Sequence, residues 1–261
     1  MKKSNLLLTY IRMSFLNKKQ FTINQAFTWI GYFISAIFDY FLWLCLLNET
    51  SNQTMTKHEM LPYTIFVFIT SICINQNSDY LLSRDIFSGD FSIILTRPVS
   101  IFKIYSYQAF SECIFSFLTM LLPVYLVYIC FTGFDLVSCI CWIISLLMSF
   151  ILTFLIDILF GLFTIHLMNN WGINTAKSLI ISLLSGELIP IFFFSSKLQL
   201  FYQYSPFYFL NYACTKIIMN KCTILECLSS FGIGICWIVI LSLIVDIVYK
   251  KERRGVTING G

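Results

Sequence analysis

The chain has 261 residues, of which 58% are hydrophobic and only 11% charged, with a formal net charge of +4; an ordinary soluble protein is about 25% charged. A soluble fold of this size cannot hide that much apolar surface and keep a wettable exterior, so the composition points to an all-α integral membrane protein. The 17 Lys and Arg are spread over loops and ends rather than gathered on one polar face, which argues against nucleic acid as a partner.

Residues 1–20 carry Lys2, Lys3, Arg12, Lys18 and Lys19 and no acid. Leu7, Leu8, Ile11 and Phe15 recur at helical spacing opposite Asn5, Thr9, Arg12 and Lys19. That pattern predicts an amphipathic helix at the membrane interface over 1–22, its cations drawn to anionic lipid. A signal peptide is rejected, because the apolar stretch is short, Arg12 interrupts it and no small-residue cleavage site follows.

Six apolar runs follow, near the length of about 20 residues that a hydrocarbon core requires. They are expected at 25–47, 61–78, 104–130, 136–167, 175–194 and 222–249. The polar loop after the first contains two glycosylation sequons, Asn48-Glu49-Thr50 and Asn52-Gln53-Thr54, which chance in an Asn/Thr-rich loop also explains. Residues 80–103 form the one internal polar interruption, with Arg84, Asp85, Asp90, Arg97 and Lys103. A short helix is expected over 81–91, and Arg97-Pro98 should stop the chain before the third span. Between spans five and six, the aromatic stretch 198–212 reads as short re-entrant or outer helices, or as an interfacial aromatic belt.

Six spans place both ends on one side. Counting Lys177 with that side gives thirteen Lys and Arg there against four on the other, so the positive-inside rule makes both termini and 80–103 cytoplasmic. The expected location is a plasma membrane, and the Phe, Ile, Asn and Lys content suggests an AT-rich bacterial genome.

Asp39, Glu112, Asp157 and Glu187 fall inside spans with no compensating cation, and an acid at mid-bilayer costs about 2.5–3.5 kcal/mol on insertion scales. They either line a polar cavity or interface, or are protonated and hydrogen-bonded to neighbouring helices. Gly186, Glu187 and Pro190 interrupt the fifth span, and irregular backbone at that depth must face protein or a cavity. Ten cysteines against two histidines show no zinc-ligand spacing. Seven of the ten lie in apolar runs, where a thiol acts as a small hydrophobe, and Cys214, Cys222 and Cys227 have nothing that favours pairing. P-loop, His-Glu-x-x-His and Gly-x-Ser-x-Gly motifs do not occur, so no enzyme chemistry and no cofactor of its own is expected.

Ile86-x-x-Gly89-x-x-x-x-x-Leu95-x-Arg97-Pro98 in a loop between spans two and three resembles the membrane subunits of ABC-type exporters, in the type-2 permease branch of ABC-2 family transporter proteins. Ser185-Gly186, Ile189-Pro190 and then Ser205-Pro206-Phe207 are similar to that branch's second signature. One departure is Phe194-Ser195-Ser196, where the family often has a proline. The resemblance implies a single permease domain over 1–261, paired with a second identical or related permease and with separate ATP-binding cassette subunits that hold ATP and Mg²⁺. It implies a coupling loop over 80–103, with Arg84, Asp85, Ile86, Gly89, Asp90, Arg97 and Pro98 docking on the ATPase. It also implies an outer gate over 185–220, shaped by Gly186, Glu187, Pro190, Pro206 and Phe207. The function expected is export of a drug, peptide or lipid-like substrate. The competing readings are a stand-alone self-protection protein against membrane-active peptides, and a proton-driven transporter using Asp157 or Glu112.

Overall fold

Long apolar runs leave the backbone no hydrogen-bond partner but itself, and helix is the local solution. The computed structural model describes residues 4–20, 22–47, 57–96, 100–167, 170–219 and 222–256, and every element among them is helical. The chain opens with α1 (Ser4–Gln20) and α2 (Thr22–Leu47), then α3 (Lys57–Ile74) and two short helices, α4 (Ser78–Phe87) and α5 (Asp90–Leu95). A long rod follows, made of α6 (Ile101–Ser116), a π-helical turn (Phe117–Leu121) and α7 (Leu122–Thr132). The chain returns along α8 (Leu136–Leu167) and α9 (Asn170–Leu184). A 3₁₀ turn (Ile191–Phe193), α10 (Ser196–Gln203), a second 3₁₀ turn (Pro206–Phe209) and α11 (Tyr212–Ile218) lead to α12 (Ile224–Val256). Both expected sequons, with Arg97 and Pro98, lie outside the described residues.

Among the described residues, four stretches are long and apolar enough to cross a membrane: Trp29–Leu46, Ile101–Thr132, Leu136–Thr164 and Ile224–Glu252. The second and fifth expected spans are shorter. At 1.5 Å per residue the 18 residues of α3 reach about 27 Å and the 15 of α9 about 22 Å, against a hydrocarbon core about 30 Å thick. Six crossings therefore do not follow from helix length and composition alone. The second expected span stops at Ile74 rather than residue 78, because Asn77 takes a left-handed conformation (φ 49°) and turns the chain into α4. The fifth starts at Asn170, inside what reads as a loop, and ends at Leu184. Packing of α9 on α4 and α8 overrides the weak helix propensity of its Gly and Asn residues.

Pro123 does not break the third rod. A proline removes one helical hydrogen bond and crowds the turn before it, and here that turn is the wider π form, so the helix continues to Thr132. Along this rod runs α1, in the same direction, through ring contacts of Tyr10 with Tyr107 and Phe15 with Phe115.

The organising axis is α8, which contributes to three buried clusters. Its Trp142, Leu146 and Phe150 meet α3, α6 and α11 residues such as Phe66, Ala109 and Cys214. One turn on, Leu152 and Ile156 join Ile191, Tyr208 and Phe209. At its far end Ile158 and Leu162 pack with Leu82, Phe91 and Ile94 of α4 and α5 and Val245 of α12. Half of α8 is buried, whereas none of the apolar window in α2 is, so α2 presents its side chains to lipid or to a partner.

Gly161 sets how closely α4 approaches α8. A Cβ there would lie 2.9 Å from the Leu82 side chain and 3.2 Å from the Asp79 Cα. Thr164 spans the same seam, donating to Ser83 Oγ at 3.0 Å. Gly161→Val should therefore push the helices apart and destabilise the purified protein by about 1–3 kcal/mol, read as a lower melting temperature in detergent. Gly232→Val, at a position of α12 with open space around it, is the control; equal melting of the two variants would refute close packing at Gly161.

Candidate functional site

The polar stretch between α3 and α6 is mounted on the core by one face and open on the other. Leu82, Phe91 and Ile94 are buried, with Ile86 packed at the margin of their cluster. Arg84, Phe87, Asp90 and Ile93 are exposed. Gly89 joins the two short helices at φ +80°, in open space, so the left-handed backbone and not a close neighbour is what asks for glycine. The turn is further tied by Ser88 Oγ, which donates to Asp90 Oδ2 at 2.8 Å. Asp85 is held from below, accepting from the Tyr105 hydroxyl at 2.8 Å, and from above by Arg84 at 3.2 Å. Arg84 itself is 60% exposed, so its guanidinium remains available to solvent or a partner. Of the expected coupling residues, Arg84, Asp85, Ile86, Gly89 and Asp90 thus share one small structural unit.

Beneath that unit lies a constellation that sequence reasoning did not assemble. Lys177 of α9 places its Nζ 2.7 Å from Asp79 Oδ2 of α4 and 2.7 Å from Asp157 Oδ1 of α8, and all three side chains are at most 2% exposed. Asp157 Oδ2 accepts the backbone N–H of Ser78, at the first position of α4, at 3.1 Å. Asp79 Oδ1 meets no hydrogen-bond donor among the described residues. Two expectations are corrected here. Asp157 does not lack a compensating cation, because the cation arrives from another helix. Lys177 is not a surface charge of the cytoplasmic loops, which leaves twelve Lys and Arg against four in the charge asymmetry. The available signal was a lone lysine inside an apolar helix; a buried ammonium demands a carboxylate.

At the end of α9 the backbone leaves the helix. Gly186 has φ +82°, and a Cβ on it would meet Ile191 at 2.9 Å and the Tyr63 hydroxyl at 3.2 Å. Tyr63 donates to the Gly186 carbonyl at 2.8 Å, satisfying one acceptor that the broken helix frees. Asn211, which precedes α11, donates to Ser71 Oγ at 2.7 Å and Ser185 Oγ at 3.2 Å. Glu187, half-buried, follows Gly186 at this break. Pro190 is buried beside this break. Pro206 opens the second 3₁₀ turn, and Phe207 packs at the margin of the cluster that contains Ile191. The two signature segments therefore share one core. Tyr63, Ser71 and Asn211, which carry their polar contacts, went unnoticed among the many hydroxyl and amide residues of the chain. Glu112 is half-buried on α6.

Tyr63→Phe removes the donor to Gly186 while keeping the ring, and should cost about 1–2 kcal/mol of stability, with faster amide exchange over 185–193. Unchanged exchange there would show that the hydroxyl does not hold the break.

No curated protein matches this sequence. Residues 33–260, which include both short helices and the broken helix, match the family described as ABC-2 family transporter protein. With nearly its whole length covered, the chain belongs to the ABC-2 family of transporter proteins, as a membrane permease component.

Proposed function

We propose that this chain forms half of the translocation pathway of an ATP-driven exporter, with ATP and Mg²⁺ held by separate ATP-binding cassette subunits and a second permease copy or relative completing the pathway. The observation that carries the reading is the α4–α5 unit, in which charged Arg84 and Asp90 and apolar Phe87 and Ile93 are exposed together on helices whose opposite face is locked into the core. A surface rigidly mounted in this way can receive a push and pass it on. In this reading α3 and α9, extended by the segment up to residue 193, serve as the second and fifth of six crossings. Both termini and α4–α5 are then cytoplasmic, and residues 185–220 form the outer gate.

The substrate class that fits is lipid-like or amphipathic. An apolar cleft of about 760 Å³ opens between α2, α3 and the π turn, lined by residues such as Trp29, Phe33, Tyr40, Phe68 and Met120. Such a lining favours hydrocarbon over a strongly hydrated solute. A proton path through Asp157 is less well supported, since that carboxylate is engaged by Lys177 and the Ser78 amide.

Arg84→Glu reverses the exposed charge at the docking face. Co-purification with a co-expressed ATP-binding cassette subunit should weaken about tenfold, as expected for loss of a charged contact of roughly 1–2 kcal/mol at an interface, with no change in melting temperature. Undiminished co-purification would remove Arg84 from the docking face, and the absence of any ATP-binding partner would favour the stand-alone reading.

A further inference from the structure

The coupling unit and the broken helix are joined by buried charge. Asp79 and the Ser78 amide lie in the first turn of α4, Asp157 lies on α8, and Lys177 belongs to α9. From Lys177 to Gly186 is nine residues, about 13 Å along a helix, and α9 runs without interruption to Leu184 before the break. The break is anchored at its other side, by Tyr63 on the Gly186 carbonyl and by Asn211 on Ser185. Any displacement of the first turn of α4 must therefore break the 2.7 Å contact to Lys177 or carry α9 with it, and α9 in turn pulls on a segment held from outside. We infer that the Asp79–Lys177–Asp157 triad is the latch that transmits movement of α4 to the gate segment 185–193, with Lys177 as its positioning residue; this rests on the reading of α4–α5 as the docking face.

The ion pairs suit that task better than packing alone. Apolar contacts slide with little change in energy, whereas parting Asp79 from the ammonium leaves a bare carboxylate in a dry site. A linkage of this kind has discrete made and broken states, which is what transmission between distant sites requires.

The test is hydrogen exchange on the full chain in lipid nanodiscs, alone and with its ATP-binding partner. In the chain alone, Lys177→Met should raise exchange in 78–87 and 185–193 together, with the centre of α12 unchanged. Asp79→Asn, which leaves Lys177 paired with Asp157, should raise both by less and serves where Lys177→Met does not fold. In the complex with ATP and vanadate, D79N should keep the exchange response of 90–95 but lose about tenfold of the response at 185–193. A change confined to one segment, or a wild-type gate response in D79N, would overturn the latch. A wild-type chain that binds no ATP-binding subunit, yet shows the paired changes alone, would overturn the permease reading and leave the latch standing.

Discussion

One ammonium held between two carboxylates, out of reach of water, is the constraint around which this protein is assembled. Lys177, Asp79 and Asp157 come from three helices and meet at 2.7 Å with almost no exposed surface. Removing the ammonium from such a site typically costs about 3–5 kcal/mol, because the two carboxylates stay buried and uncompensated. The triad does not lend general cohesion, which the apolar clusters along α8 already supply. It specifies position: α4 and α9 can satisfy these charges in one arrangement only. The small residues around it serve the same end. Gly161 lets α4 descend onto α8, and Thr164 and Ser83 close the seam with a hydrogen bond.

The two ends of the permease are built on opposite principles. On the α4–α5 side the backbone is regular and the exposed residues are chemically mixed, as a surface for a protein partner requires. On the side of the break the backbone is irregular; Tyr63 takes up the Gly186 carbonyl, and Asn211 ties the Ser185 and Ser71 hydroxyls together. Hydroxyl and amide partners are weaker than an ion pair and can be exchanged for one another or for water. In the function proposed for this chain the broken segment opens and is held by exchangeable bonds, whereas α4 transmits force and is held by charges.

How far the sequence carries this account depends on whether a feature is local. Composition and apolar periodicity settle an all-helical membrane chain, and Gly186 and Pro190 announce a break because their backbone chemistry acts within a few residues, whereas the single helix expected over 81–91 is divided at Gly89, whose φ of +80° separates α4 from α5. Asp157 is visible as an anomaly, but its partner lies 20 residues away on another helix, and Asp79 is 78 residues before it. Lys177 looks like one more cytoplasmic cation when only its flanks are considered. The start of α9 at Asn170 is hidden for the same reason: its Gly and Asn residues favour a loop locally, and contacts with α4 and α8 decide otherwise. The third span, expected unbroken over 104–130, does run as one rod, and a π turn absorbs Pro123 within it.

The triad also explains why α4 begins where it does. Two carboxylates and one ammonium leave a net charge of −1 in a dry site. The N-terminus of a helix carries roughly half a positive charge, and α4 directs that end at Asp157 through the Ser78 amide at 3.1 Å, with Asp79 in its own first turn. With α4 docked that half charge offsets part of the excess; if α4 withdraws, Lys177 and Asp157 still balance each other, but Asp79 loses its cation and the Ser78 amide its acceptor. A lysine suits the central place: its compact ammonium can face two acids from one point, where the planar fork of arginine would need wider, flatter spacing. The turn at Asn77, left-handed and immediately before Ser78, therefore does more than end α3. It aims the positive end of α4 at a buried site where two acids converge on a single cation.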